Sequence, residues 1–286
     1  MGKHTATSQK VTGGALLGTV AAGLAAAALG GAGSASATCA SISGIGAGAG
    51  CTSTPTSFAI GIGDNTTAAG QGLFTGAVAV GKNATAASTG ALSFAGAFGE
   101  NAVATTNGSL NASLAVGKNA AAAAGNSAAD IGNVAVNIAN NTVLGSGSAF
   151  AGGPGNQAGF GNIAVNASKD STVSAVGGLN SAFSVGGSNN VVRSFGLLNN
   201  ATNLLGSQNV VAAGNIPDPS KLILTQIGGN VAFNIGGNKN AVLAGAAVPP
   251  NTSNGPFAIA GAIGVSDKNM ANAITQATTG ININNQ

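Results

Sequence analysis

Four charged side chains recur at a fixed spacing and are the first candidates for chemistry in this sequence. They lie 18 residues apart and alternate in sign: Asp64, Lys82, Glu100 and Lys118. Two carboxylates act as a general acid and base when they lie close together in a pocket that shifts their pKa values. If each 18-residue block forms one stacked coil, Asp64 and Glu100 lie about 10 Å apart on an exposed corner, with Lys82 between them. We therefore interpret the column as a structural charge ladder, with a coincidence of signs as the alternative.

The cysteines and the shortage of histidine narrow the chemistry further. Cys39 and Cys51 are the only cysteines, and the only histidine is His4. A lone pair in an exported chain favours one disulfide, here stapling an N-terminal cap over the first coil. Free thiols or a metal site are less favoured, because no histidine is at hand as a further ligand. The strings GGLN, GGSN and GGNK also lack the repeated Asp of calcium-binding β-rolls. We expect no enzyme activity, no cofactor and no metal site.

The N-terminal 37 residues predict an export signal. Basic residues precede an uncharged stretch over 11–33, and the sequence Ala-Ser-Ala ending at Ala37 fits a signal peptidase site. The alternative is a membrane anchor at 11–33, which is long enough to span a bilayer but rich in Gly and Ala. Lipidation at Cys39 is disfavoured because the usual preceding Leu is missing. The prediction is a secreted or cell-surface bacterial protein, cleaved after Ala37 and membrane-bound only if the signal segment is retained.

The composition is unusual for a globular protein and also for a disordered one. Only 5% of residues are charged, Gly numbers 48, and Trp and Tyr do not occur. Hydrophobic residues make up 44% and the mean hydropathy is +0.35, which argues against disorder. Removal of residues 1–37 takes two lysines from the nine basic residues and leaves six acidic ones, a net charge of +1. Such a small net charge gives no basic surface for binding nucleic acid, and we expect no nucleic acid as a partner.

An internal repeat determines the predicted fold. Residues 58–129 divide into four consecutive blocks of 18 without a gap. Each block carries a corner in which Gly is followed two positions later by Asn: Gly63, Gly81, Gly99 and Gly117, then Asn65, Asn83, Asn101 and Asn119. Gly permits positive φ at a corner, and Asn tolerates it while its amide can bond along a ladder. We predict an all-β parallel β-solenoid, a two-sheet β-roll or narrow β-helix of about 18–20 residues per coil.

Period-2 alternation around the corner predicts which residues share a face of each strand. We assign two columns to the interior: Ile60, Val78, Gly96 and Leu114, and Ile62, Val80, Phe98 and Val116. A second strand per block is predicted around a further column: Phe74, Leu92, Leu110 and Ala128.

The remaining sequence gives the predicted domain boundaries. A cap with the disulfide covers 38–57, and the solenoid covers 58–267, with loops near 216–221 and 248–256 where Pro interrupts the repeat. A C-terminal cap or tail covers 268–286, and Lys268 to Thr278 is predicted as a short helix.

The corner motif resembles the head repeats of the YadA-like trimeric autotransporter adhesins. Ala77 to Ala86 and Ser113 to Ala122 fit that pattern well, and Ala95 to Ala104 fits it less tightly. The resemblance covers residues 58–129, about a quarter of the chain. It implies a left-handed parallel β-roll displayed outside the cell and used for attachment. The family's repeat is shorter than 18 residues, and we find no heptad stalk or anchor segment, so self-association as a trimer or end to end stays open.

Three classes of function are compatible with these features. We favour an exported, non-catalytic structural or adhesive protein, in which a flat polar face with Asn and Thr contacts an unknown surface or matrix ligand. The alternative is an ice or mineral lattice binder, which needs a ladder of Thr. Thr67 and Thr85 begin such a column, but Val103 and Ala121 end it. A polysaccharide-acting solenoid enzyme is the least favoured, because clustered acids and aromatics are missing.

Overall fold

The computed structural model describes residues 38–143, 145–154, 157–214, 228–245, 256–267, 274–276 and 279–285. Contacts divide the chain into residues 1–36 and 37–286, and every described residue belongs to the second unit. The described residues form 24 β-strands and no helix. The strands belong to two sheets of 13 and 11 strands, which we call sheet A and sheet B. The predicted all-β parallel solenoid is confirmed.

Sheet A contains the first strand of each coil and a short hairpin at its N-terminal edge. Its strands are β1 (Cys39–Ile42), β2 (Ile45–Ala47), β4 (Phe58–Ile62), β6 (Gly76–Val80), β8 (Phe94–Phe98), β10 (Ala112–Val116), β12 (Val134–Ile138), β14 (Ile163–Lys169), β16 (Ser181–Ser188), β18 (Asn200–Leu204), β20 (Val231–Ile235), β22 (Ala258–Ile263) and β24 (Gly280–Asn285). The strands from β4 onward are parallel, whereas β1 runs antiparallel to both β2 and β4.

Sheet B contains the second strand of each coil, and all of its pairings are parallel. Its strands are β3 (Cys51–Ser53), β5 (Thr67–Leu73), β7 (Thr85–Ala91), β9 (Val103–Thr106), β11 (Ala121–Ala124), β13 (Ser148–Gly152), β15 (Thr172–Gly178), β17 (Val191–Leu197), β19 (Val210–Ala213), β21 (Ala241–Ala244) and β23 (Ile274–Gln276). In the first coils each residue pairs with the one 18 positions later, as Ala77 does with Ala95. The sequence repeat is therefore the register of the stack.

The interior of the solenoid is filled by small side chains, which corrects the predicted orientation of the strands. Ala59, Ala77, Ala79, Ala95 and Ala97 are fully buried. The two columns that we assigned to the interior face outward instead: Ile60, Val78, Gly96 and Leu114, and Ile62, Val80, Phe98 and Val116. Period-2 alternation identifies the residues that share a face, but it does not say which face is inside. Only the space between the sheets decides that.

The space between the sheets is narrow enough to exclude large side chains. A Cβ at Gly70 of sheet B would lie 2.5 Å from the carbonyl oxygen of Phe58 in sheet A. In the first coils Ala fills this space. From β12 to β20 the same inner column of sheet A carries buried polar side chains: Asn137, Asn166, Ser184, Asn203 and Asn234. Their amides are satisfied along the stack, as when Asn166 Nδ2 donates to Asn137 Oδ1 at 3.1 Å.

The second strand of each block begins earlier than predicted. Phe74, Leu92 and Leu110 lie in the turns that lead from sheet B to sheet A, with φ values of 56°, 54° and 57° respectively. Ala128 also lies in a turn. The strands of sheet B precede these residues, as β5 and β7 do. In the sequence, a large apolar residue close to Gly favours a strand, whereas in the structure it lies in the turn.

The two ends of the solenoid differ from each other. At the N-terminal end, the β1–β2 hairpin covers β4, while β3 already stacks on β5. At the C-terminal end, β23 and β24 continue the two sheets beyond residue 267. The predicted helix from Lys268 to Thr278 is therefore wrong at 274–276, where the chain extends sheet B. The predicted loop at 216–221 and most of that at 248–256 lie outside the described residues, as does the predicted signal segment at 1–37.

Candidate interaction surface

Cys39 and Cys51 form a disulfide at the N-terminal end of the solenoid. Cys39 lies in β1 of sheet A and Cys51 in β3 of sheet B, with their Cα atoms 5.5 Å apart. The bond therefore ties the edges of both sheets together beneath the capping hairpin. A disulfide in a chain with no free cysteine among its described residues is typical of an oxidising, extracellular compartment.

The turns that lead from sheet A to sheet B, which we call the polar corner, carry the repeated Gly and Asn. A Cβ at Gly81, whose φ is 131°, would lie 2.2 Å from the carbonyl oxygen of Gly99 in the next coil. Gly63, Gly99 and Gly117 share this conformation. The four corner asparagines have φ between 53° and 55°: Asn65, Asn83, Asn101 and Asn119. The Nδ2 group of each of the first three donates a hydrogen bond to Oδ1 of the next, at 3.0 to 3.3 Å. Coil contact thus requires Gly, and the Asn ladder bridges successive coils.

The charged column lies on the polar corner beside this ladder. Lys118 Nζ lies 3.2 Å from Glu100 Oε2, whereas no ion pair within 4.0 Å joins Asp64, Lys82 and Glu100 in the described part of the chain. Later coils add a pair between Lys239 and Asp267 at 3.9 Å. Both pairs are exposed, so each contributes only about 0 to 1 kcal/mol. The column is not a pocket with paired carboxylates.

Two further carboxylates hold the irregular turns of the middle coils. Asp130 is fully buried, and its carboxylate accepts backbone N–H bonds from Asn126 at 2.6 Å and Ser127 at 2.9 Å as well as from Gly153 and Gly159. Asp170, on the polar corner, accepts hydrogen bonds from Ser146 and Thr142, and these bonds lower its pKa below the ordinary value. Both carboxylates therefore position loops.

The outward side chains of sheet A, which we call the apolar face, form three columns along the parallel strands. The first column is Phe58, Gly76, Phe94, Ala112, Val134, Ile163, Ser181, Asn200, Val231, Ile259 and Ile281. The second is Ile60, Val78, Gly96, Leu114, Val136, Val165, Phe183, Thr202, Phe233, Gly261 and Ile283. The third is Ile62, Val80, Phe98, Val116, Ile138, Ala167, Val185, Leu204, Ile235, Ile263 and Asn285. These columns contain no charged residue.

The apolar face is open to solvent. Its large side chains are 36% to 52% exposed at nine positions, and Ile281 is 69% exposed; the nine are Phe58, Ile62, Phe94, Ile138, Ile163, Val185, Ile235, Ile263 and Ile283. Glycines in the columns make room for neighbouring rings, since a Cβ at Gly76 would lie 2.5 Å from Cζ of Phe58. The ring of Phe233 lies over Gly261 in the same way, at 2.2 Å from the corresponding Cβ position. The phenyl rings therefore lie along the sheet.

The turns that lead from sheet B to sheet A, which we call the apolar corner, extend this surface sideways. Six large apolar residues here have φ between 53° and 63° and are 52% to 62% exposed: Phe74, Leu92, Leu110, Leu179, Leu198 and Phe257. A left-handed conformation is unfavourable for Leu and Phe by about 1–2 kcal/mol per residue. Exposure gives these side chains no compensating burial within the described coils.

A ladder of buried asparagines lies directly beneath the apolar corner. Each member precedes a strand of sheet A: Asn111, Asn133, Asn162, Asn180, Asn199 and Asn230. Asn180 Oδ1 accepts from the backbone N–H of Asn199 at 2.9 Å, and Asn180 Nδ2 donates to the carbonyl oxygen of Gly196 at 2.7 Å. Because the buried polar groups are satisfied, the corner is held without large apolar side chains inside.

The outer face of sheet B differs from the apolar face in side-chain size. From β5 to β19 its outward columns carry mainly small residues: Thr67, Thr85, Val103, Ala121, Ser148, Thr172, Val191 and Val210, then Ala69, Ala87, Thr105, Ala123, Phe150, Ser174, Arg193 and Ala212. Arg193 is exposed and is the charged member of this face. The Thr column ends at Thr85, so the lattice-binding alternative has no ladder here.

The sequence-predicted residues and the apolar face lie in different places. The predicted Gly, Asn and charged columns all lie on the polar corner, and the disulfide lies at the N-terminal end. The apolar face escaped the sequence analysis because its residues were assigned to the interior. The signal that identifies it is size: the alternate column is almost entirely Ala, which suits the narrow interior better than Ile or Phe does.

Among the described residues, no three His, Cys, Asp or Glu side chains form a group that could hold a metal ion. Within the same residues, no helix has the length and apolar character needed to cross a bilayer. No protein-family model, curated protein or solved structure matches the chain.

Proposed function

We propose that this chain is an exported, non-catalytic structural or adhesive protein of a bacterial surface or its surroundings, and that it acts through the apolar face. The observation that carries the proposal is the segregation of side chains around the coil. Charged residues lie mainly on the polar corner, whereas the apolar face and apolar corner bear exposed Phe, Ile, Leu and Val. Soluble proteins rarely expose contiguous apolar patches larger than a few hundred Å², and larger ones mark interaction sites.

Three further features support this proposal. The disulfide fits an oxidising compartment outside the cell, and the N-terminal sequence fits a cleaved signal. The corner motif resembles adhesin head repeats over residues 58–129. Parallel stacking gives a long surface of repeating columns, which suits attachment more than turnover of a small substrate. The contact surface is therefore apolar, in place of the flat polar face that we expected from the sequence.

The test compares two lysine substitutions at matched positions on the two sheets. Phe183 in β16 and Phe150 in β13 are both outward, half-buried residues in the middle coils. Each Phe→Lys change is introduced in the producing bacterium, and cell aggregation and attachment to polystyrene are measured. We expect Phe183→Lys to lower attachment and Phe150→Lys to leave it unchanged, with equal labelling of both proteins on intact cells by an impermeant biotin reagent. Equal attachment of both strains, or absence of surface labelling, would contradict the proposal.

A further inference from the structure

We infer that the partner of the apolar face is a second copy of this chain, packed with sheet A against sheet A. The inference rests on the proposed function, because it names the partner of the same surface. Its first support is area. The eleven parallel strands of sheet A, from β4 to β24, form a face roughly 50 Å long at about 4.8 Å per strand. Five residues at about 3.3 Å give a width of roughly 16 Å, hence about 800 Å² per copy.

That area equals the share which each partner contributes to a standard stable interface, about 800 Å². Two such faces also meet the geometric condition for packing. Sheets pack face to face about 10 Å apart when their outward side chains interdigitate, and a two-fold pair needs only one self-complementary patch on each copy. The apolar face offers this patch, and the phenyl rings of Phe58 and Phe233 lie over Gly76 and Gly261 within it.

A lipid surface is the competing occupant, and the described residues disfavour it. Proteins that rest on bilayers place Trp and Tyr at the interface and basic residues near the lipid headgroups. The chain contains neither Trp nor Tyr. The polar corner beside the third column alternates Asp64, Lys82, Glu100 and Lys118, so it offers no basic rim. A second sheet with the same Ile, Val and Phe columns matches the apolar face without requiring either feature.

The experiment measures the mass of the purified protein in solution without detergent. The full sequence is expressed, and the wild-type protein, Phe183→Lys and Phe150→Lys are compared by sedimentation velocity over a range of micromolar concentrations. We expect twice the mass of one chain for the wild type and for Phe150→Lys, and the mass of one chain for Phe183→Lys. A lysine in the centre of a desolvated sheet pair lacks a partner and weakens association by 100-fold or more.

Controls distinguish dissociation of the pair from misfolding. They also distinguish failure of this inference from failure of the proposed function. Val165→Lys, in the central strand β14, must dissociate the pair as Phe183→Lys does, and the thermal unfolding of all variants is followed by circular dichroism. A wild-type protein of single-chain mass, or one of three-chain mass, overturns the paired-sheet arrangement. If the wild type is a single chain while Phe183→Lys cells still lose attachment, the inference fails and the proposed function stands. If the pair forms but attachment is unaffected, the inference stands and the adhesive role fails.

Discussion

Both sheets are stacks of mainly parallel strands, yet their outer faces carry different side chains. In one coil the outward residues of β4 are Phe58, Ile60 and Ile62, while β5 of sheet B places Thr67 and Ala69 outward. The two inner faces are alike, because both carry mainly small side chains in a narrow space. The inner columns therefore fill the coil, whereas the large apolar residues outside stay partly exposed. This difference supports the proposal that the apolar face makes a contact beyond the coil itself.

The largest expected effect tests which side of sheet A is inside. Ala115 is fully buried and Val116, the next residue in β10, faces outward. Ala115→Leu forces a large side chain into the narrow interior and should lower the free energy of unfolding by about 3 kcal/mol or more. Val116→Leu should change it by less than about 0.5 kcal/mol. Urea denaturation of both variants checks this, and the opposite order would return the large residues to the interior.

The next effect compares the asparagine ladders of the two corners. Asn180→Ala leaves buried groups of Asn199, Val176 and Gly196 without a partner, so we expect a loss of about 2–3 kcal/mol. Asn83 sits in an exposed ladder, where water can replace its bonds to neighbouring amides.

We therefore expect Asn83→Ala to cost at most about 1 kcal/mol, mainly because Ala tolerates its positive φ less well. Thermal and urea unfolding of the two variants provide the measurement. Equal losses at the two positions would mean that burial does not distinguish the corners.

The two corners also show how far the sequence could predict the structure. The 18-residue period predicts the parallel stack, and the repeated Gly and Asn predict the left-handed turns, because few other residues adopt positive φ. Alternation could not assign the faces, since Ile60 and Ala59 fit either side until the distance between the sheets is known. Phe74 and Leu92 were equally ambiguous, because Leu and Phe are uncommon in left-handed turns and their pattern favours a strand.

The candidate surface could be predicted only in part for the same reason. The charged column was predicted to be a structural ladder because its members are single charges at equal spacing, and in the structure only Glu100 and Lys118 of that column form an ion pair. Recognition of the apolar face depends on which side of sheet A is inside, so its residues were predicted to lie in the core. The last strand of sheet B was missed because Ile274–Gln276 is too short to show a period of its own.

A smaller effect tests the strain at the apolar corner. Leu110 has a φ of 57° and is 57% exposed, so its side chain gains little from burial in its own coil. Leu110→Asn should raise the free energy of unfolding by about 0.5–1 kcal/mol, because Asn adopts this conformation more readily. The comparison is made in the Phe183→Lys background, so that association does not contribute. Leu114→Asn, in a strand of the apolar face, is the matched control and should be destabilising.

The smallest effect concerns the pH dependence of the polar corner. Hydrogen bonds from Ser146 and Thr142 lower the pKa of Asp170 in the folded chain. A carboxyl group with a lowered folded pKa stabilises the fold above its unfolded pKa of about 3.9, and this contribution is lost as the pH falls through the folded value. The thermal midpoint of Asp170→Asn should therefore lie slightly below that of the wild type at pH 6, and the difference should shrink as the pH falls toward 2. Ser146→Ala should reduce the same pH-dependent difference, because it removes the largest cause of the shift. A difference that persists unchanged at pH 2 would show that Asp170 holds its loop by packing, and the polar corner would then owe none of its stability to that charge.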